Sequence, residues 1–182
     1  SDVLDIEKDR AHPVRRLRPI PSGQLSVQSA IAGGLLVLAA AFGTGFVLGT
    51  RFTLVASAYL ALNVAYSTTL KRIAWLDVLS IALGFLLRVV AGSFAISLAV
   101  NEISPYLIGC TFLVALFLAL GKRRHELALD EDRPDKGRTV LRQYQPKQLD
   151  TAMFVVALAT FAVYVLYTIS GATQEYFGTW RL

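Results

Sequence analysis

Residues 78–100 read VLSIALGFLLRVVAGSFAISLAV, a run in which Arg88 is the only charged residue. A helix that spans a bilayer needs about 20 predominantly apolar residues, so this run is long enough to cross a membrane. Four uncharged runs of similar length accompany it: 27–48, 52–70, 105–121 and 151–169. Surface helices of soluble proteins show a polar face, which these runs lack. The sequence therefore predicts an all-α, multi-pass transmembrane helical bundle with five spans in one domain.

The composition agrees with this fold class. Of the 182 residues, 54% are hydrophobic and 17% are charged, whereas soluble domains carry about 25% charged residues. The single cysteine excludes an intramolecular disulfide, and no Cys or His spacing resembles a zinc site. These observations argue against a disulfide-stabilised secreted domain and against a zinc protein.

The basic residues predict how the chain is oriented. If the chain crosses the membrane at each run, one side receives segments 1–24, 71–76 and 122–148. Of all the Lys and Arg residues, only Arg51 and Arg181 fall on the other side, and Arg88 lies within a span. Cytoplasmic loops carry the Lys/Arg excess. We therefore expect a protein of the cytoplasmic membrane whose polar loops face the cytoplasm.

Three carboxylates open the chain, in the stretch SDVLDIEKD. Asp2, Asp5 and Asp9 are spaced i, i+3, i+7 and so lie on one face of a helix. Like charges on one helix face repel each other unless a cation lies between them. Mg²⁺ is the natural candidate, because it takes one or two carboxylates together with water and substrate phosphates. An exposed acidic turn balanced by Lys8 and Arg10 is the alternative.

Cationic and polar side chains then suggest phosphate binding. Arg15, Arg16 and Arg18 either anchor the first span at the interface or hold phosphate oxygens with their guanidinium forks. Arg88, about ten residues into its span, predicts a polar pocket, since an ionisable group in a membrane faces protein or water. Further candidates lie where helices meet the cytoplasm: Tyr66, Lys71, Lys122, Arg123 and Glu126. The last three directly follow the run 105–121 and are expected to face the cytoplasm.

Several stretches resemble a known family. SDVLDIEKD resembles the first aspartate motif, N-D-x-x-D-x-x-x-D, of the UbiA superfamily of intramembrane transferases, with Ser1 in place of the usual Asn. Within that superfamily, similarity to the decaprenyl-phosphate phosphoribosyltransferases is carried by DRAHPVRRLRPIPSG, AYSTTLKR, GFLLRVVAGSFA, ALGKRRHEL and VLRQY.

The resemblance implies a bundle of nine helices around a cavity open to the cytoplasm. This chain would be an internal fragment containing the third to seventh helices. The implied reaction is Mg²⁺-dependent transfer of a 5-phosphoribosyl group from phosphoribosyl diphosphate to a polyprenyl (decaprenyl) phosphate, with release of diphosphate. Membrane lipids would be the other partners, and no nucleic acid is expected.

The resemblance also implies a role for each candidate residue. Asp2, Asp5 and Asp9 would be the catalytic residues that hold Mg²⁺ on the diphosphate. The residues that would contact substrate are Arg15, Arg16, Arg18, Tyr66, Lys71, Lys122, Arg123 and Glu126, with Arg88 in the matched LLRVVAG.

Two other functions remain open from the sequence. A UbiA-type prenyltransferase would move a polyprenyl group from its diphosphate to an aromatic acceptor. Such enzymes carry a second D-x-x-x-D motif, and KRRHELALD with Glu126 and Asp130 is the nearest counterpart here. A non-catalytic membrane subunit could instead bind anionic lipid through its basic loops, but this leaves the aspartate triplet unexplained.

Overall fold

The structure is a computed structural model, and it describes residues 6–11, 13, 15–96, 104–131 and 139–170. All regular structure in these ranges is helical. The chain forms two compact units, Ser1–Thr53 and Leu54–Leu182. The α-helices are α1 (Ile6–Ala11), α2 (Val27–Leu48), α3 (Thr50–Thr68), α4 (Leu76–Ala95), α5 (Pro105–Glu131) and α6 (Pro146–Ile169). Short 3₁₀ helices are formed by Arg15–Leu17, Leu70–Arg72 and Thr139–Gln143.

Four of the long helices have the length and apolar composition needed to cross a membrane. They are α2, α4, the Pro105–Leu129 part of α5, and α6. This confirms the predicted class, a multi-pass helical membrane protein. The predicted run 52–70 is also helical, as α3, but α3 is less apolar because it contains Arg51, Asn63 and two tyrosines. That span stays a prediction.

In the first unit, the sequence determines both ends of α2. The Ser26 side chain accepts a hydrogen bond from the Ser29 amide at 3.1 Å and so caps the helix N-terminus. Gly49 follows the last residue of α2 with φ 107°, a conformation that other residues avoid. A Cβ at Gly45 would lie 3.3 Å from Thr53 Oγ1. The Gly45–Gly49 pair thus permits a tight turn between two consecutive helices.

In the second unit, α5 is the central helix and packs against both α4 and α6. The buried core lies toward one end of these helices. It contains Val78, Ala119, Leu120, Val140, Tyr144 and Leu149. Two of these, Val140 and Tyr144, come from the segment between α5 and α6, so this connection is part of the core.

The helix that contains the apolar run 105–121 is longer than the run. The run ends at Gly121, where the charged residues begin, and α5 continues to Glu131. The residues after Gly121 include Lys, Arg, Glu, Leu and Ala, which are good helix formers. Lys122, Arg123 and Glu126 therefore lie on a helix, with Arg123 buried and Lys122 exposed.

Candidate functional site

Four polar side chains from three helices meet in the second unit. Tyr66 is near the end of α3, Asp77 is in the first turn of α4, and Arg123 and Glu126 are one turn apart on α5. We call these four residues the Arg123 cluster. Arg123 is 46 residues from Asp77 in the sequence, and the packing of α4 on α5 brings the two together.

Arg123 is the centre of the cluster. Its Nε and Nη2 donate to the two carboxylate oxygens of Asp77, with Nη2 2.9 Å from Oδ1. Nη2 also lies 3.4 Å from the Tyr66 hydroxyl, which itself donates to Asp77 Oδ1 at 2.9 Å. Nη1 donates to Glu126 Oε2. Four of the five N–H groups of the guanidinium are therefore engaged.

Burial shows what this arrangement can do. Asp77 is 0% and Arg123 1% exposed, whereas the Glu126 side chain is 26% exposed. A buried charge is tolerated only when it is paired and hydrogen-bonded, and this pair is bidentate. Arg123 thus holds three helices together, and its donors point into protein. Glu126 pairs with Arg123 and not with Lys122.

Two other predicted cations of this unit are placed differently. Lys122 is exposed on α5, directly beside buried Arg123. Lys71 is half-buried in the 3₁₀ helix Leu70–Arg72, between the helices that carry Tyr66 and Asp77. Lys122 therefore has the accessibility that binding of an anion requires, and Lys71 has part of it.

Arg88 is held by aromatic rings. Its guanidinium donates from Nε to the Tyr59 hydroxyl at 3.1 Å and lies 5.1 Å from the ring centroids of Tyr59 and Phe85. Its side chain is exposed among the described residues. The Asn63 amide donates to the Tyr59 carbonyl of its own helix. The contacts that the structure describes for Arg88 are thus a hydroxyl and two rings in α3 and α4.

In the first unit, Asp9 is the member of the acidic motif that the structure describes. Its side chain is 3% exposed, and Oδ2 accepts from Arg18 Nη1 at 2.9 Å. Asp2, Asp5 and the side chain of Arg15 lie outside the described residues, and Arg16 is exposed. Within the described ranges, no group of three His, Cys, Asp or Glu residues converges. Asp9 of the acidic motif is thus paired with Arg18 of the basic stretch that follows it.

Asp77 is the member of the cluster for which the sequence analysis predicted no role. It stands between Trp75 and an apolar run, where a carboxylate next to a span is unusual. This position next to an apolar run is the feature of the sequence that could have indicated a structural role for Asp77. Its partner Arg123 is 46 residues away, and only the packing of the helices reveals it.

Comparisons with known proteins agree with the sequence motifs. A model of the UbiA prenyltransferase family matches residues 1–181. The chain is 44% identical over 126 residues to the uncharacterized protein y4nM of Sinorhizobium fredii, covering 69% of this chain and 24% of that protein. It is 33% identical to the decaprenyl-phosphate phosphoribosyltransferases of Corynebacterium glutamicum (94% of this chain, 50% of the relative) and Mycolicibacterium smegmatis (93% and 52%). The chain spans about half the length of these two relatives.

Proposed function

Because the chain belongs to the UbiA prenyltransferase family, we propose that it is part of an integral membrane transferase that moves a 5-phosphoribosyl group from phosphoribosyl diphosphate to a polyprenyl phosphate. The observation that carries this proposal is the 33% identity, over 93–94% of the chain, to two relatives named decaprenyl-phosphate phosphoribosyltransferase. The loops rich in Lys and Arg would face the cytoplasm, where the positive-inside rule puts them.

For this reaction the protein has to position the two substrates and to supply cations. A phosphate oxygen of the lipid attacks C1 of the ribose, the C1–O bond to the diphosphate breaks, and diphosphate leaves. A phosphate monoester is already ionised at neutral pH, so the nucleophile requires no general base. Charge grows on the leaving diphosphate, and preorganised cations stabilise it there.

The acidic motif at the start of the chain supplies oxygen ligands of the kind that a divalent cation takes. Mg²⁺ takes one or two carboxylates together with water and substrate phosphates, and Asp9 is a nearly buried carboxylate that already binds one cation, the Arg18 guanidinium. We propose that Asp2, Asp5 and Asp9 would hold Mg²⁺ and that Arg15, Arg16 and Arg18 would contact phosphate. When bound, Mg²⁺ would neutralise charge on the diphosphate.

In the second unit, we propose that Lys71 and Lys122 bind phosphate and that the Arg123 cluster supports them. Lys122 is adjacent in sequence to Arg123, whose side chain is 1% exposed and tied to Asp77. The backbone of Lys122 is therefore fixed by its neighbour, while its own ammonium is exposed. A cation on a fixed backbone can bind the 5-phosphate of the donor, which a prenyl diphosphate lacks.

Lys122→Ala in the full-length protein should weaken the apparent affinity for phosphoribosyl diphosphate. Loss of one charge-assisted hydrogen bond costs about 1.5–3 kcal/mol, or roughly ten- to a hundredfold. The matched control is Arg124→Ala, which also removes one positive charge, but from a side chain bound to Asp150 at 2.8 Å. Equal KM values for both variants and the wild type would contradict the role of Lys122.

The donor itself is tested with two labelled substrates. The full-length protein receives labelled phosphoribosyl diphosphate with a polyprenyl phosphate, and separately a labelled prenyl diphosphate with an aromatic acid. We expect label in the polyprenyl lipid in the first reaction. Product in the second reaction alone would establish the aromatic prenyltransferase, and product in neither would favour a lipid-binding subunit.

A further inference from the structure

The turn between α3 and α4 is held by two side chains from the segment that precedes α6. Gln143 donates from Nε2 to the Arg72 carbonyl at 3.1 Å, and its Oε1 accepts from the Ala74 amide at 3.1 Å. The Tyr144 hydroxyl accepts from the Trp75 amide at 2.9 Å. Three backbone groups of one turn are thus bound by side chains that lie about seventy residues later in the chain.

Tyr144 is itself anchored in the core. It is 4% exposed and packs in the same cluster as Val78 and Leu149. Its ring meets the Trp75 ring edge-on, with centroids 5.5 Å apart. Burial raises the pKa of the Tyr144 phenol above its usual value, so the hydroxyl is neutral at physiological pH. The turn is therefore attached to the buried core of the second unit.

The turn has a backbone conformation that needs such support. Among the described residues, Trp75 is the only non-glycine with positive φ, at 68°. Bulky residues avoid this region, and they persist in it only where the surroundings determine it. Here the bond to Tyr144 fixes the Trp75 amide. The same turn carries Lys71 and leads directly into Asp77.

We propose that Gln143 and Tyr144 are positioning residues that hold Lys71 and the start of α4 in place for phosphate binding. The proposal rests on the proposed function in taking Lys71 as a phosphate ligand. It gives a role to the stretch VLRQY, residues 140–144, whose last two residues are Gln143 and Tyr144. Neither of them needs to touch the substrate.

Two substitutions in the full-length protein test the proposal. Tyr144→Phe keeps the ring and removes the hydroxyl, and Gln143→Ala removes the amide. The probe is inorganic diphosphate with Mg²⁺, measured by titration calorimetry. We expect a Kd at least about tenfold higher for each variant, as the loss of one phosphate contact would give. The control Tyr164→Phe removes a hydroxyl from a ring that is 57% exposed, and its Kd should equal that of the wild type.

Hydrogen exchange separates positioning from general stability. Amides of the peptide that contains Ala74 and Trp75 should exchange faster in Tyr144→Phe, while amides in the middle of α5 keep the wild-type rate. Faster exchange throughout the bundle, with an unchanged diphosphate Kd, would mean that Tyr144 only stabilises the fold and would overturn the proposal. An unchanged Kd in both variants would overturn it as well.

Trp75→Gly supplies a further check. Glycine adopts positive φ without strain, so the turn should depend less on the Tyr144 hydroxyl, and Tyr144→Phe should raise the Kd less in the Trp75→Gly background. An equal effect in both backgrounds would contradict the proposal. Diphosphate is the leaving group in both candidate reactions. The Kd for diphosphate therefore still tests this proposal if the protein does not transfer a phosphoribosyl group. A wild-type protein that binds no diphosphate would overturn the proposed function and this proposal together.

Discussion

Replacing Asp77 by Ala is expected to lower the free energy of unfolding of the full-length protein by about 3–5 kcal/mol, the usual cost of leaving a buried charge unpaired. Arg123, 1% exposed, would keep Glu126 and lose the bidentate partner that neutralises it. Tyr66 would also lose its acceptor. The measurement is the thermal unfolding of the purified protein in detergent.

Two controls identify the cause of that effect. Asp150→Ala removes a carboxylate from an exposed pair with Arg124, in which Asp150 is 56% exposed, and such pairs contribute about 0–1 kcal/mol. The double variant Asp77→Leu with Arg123→Met removes both buried charges and should be more stable than Asp77→Ala. If Asp77→Ala unfolded at the same temperature as Asp150→Ala, the central role of the buried pair would be refuted.

Asp5→Asn should reduce the initial rate of transfer by the full-length protein at least about a hundredfold, in line with the loss of one essential electrostatic contact to a transition state. Asp5 is the middle carboxylate of the triplet, and Asn has the same size but cannot neutralise a cation. The rate is measured as a function of Mg²⁺ concentration.

The matched control for Asp5→Asn is Arg51→Ala. Arg51 is an exposed charge in the first turn of α3, on the side of the membrane that the basic loops are predicted to avoid. We expect near wild-type rates for this variant. A near-native rate of Asp5→Asn at saturating Mg²⁺ would show that the acidic motif does not hold the metal.

The fold class could be predicted from the sequence because length and apolar composition alone identify a membrane helix. Helix ends were harder to predict. The charges after Gly121 resemble the end of a span, yet α5 continues to Glu131 through residues that are good helix formers. The pairing of Arg123 with Asp77 on α4 cannot be read from the residues around either of them.

The candidate site, like the helix ends, could be predicted only in part. Residue types and spacing predicted which polar side chains would lie near helix ends. They could not separate Lys122 from Arg123, which are neighbours in sequence but point about 100° apart on a helix. One is exposed and the other is 1% exposed. No role was predicted for Gln143 and Tyr144 because their hydrogen-bond partners are backbone groups. Such bonds have no recognisable pattern in the sequence.

The buried Arg123–Asp77 pair also restricts how α4 and α5 can slide and rotate against each other. Most of α5 is apolar on every side, and in lipid no hydrophobic force favours one rotation of such a helix over another. Turning α5 by one residue, about 100°, would move the guanidinium away from Asp77 and leave this buried carboxylate without its bidentate partner. The pair therefore determines the rotation of α5 relative to α4, which the apolar surfaces of the two helices would not determine by themselves.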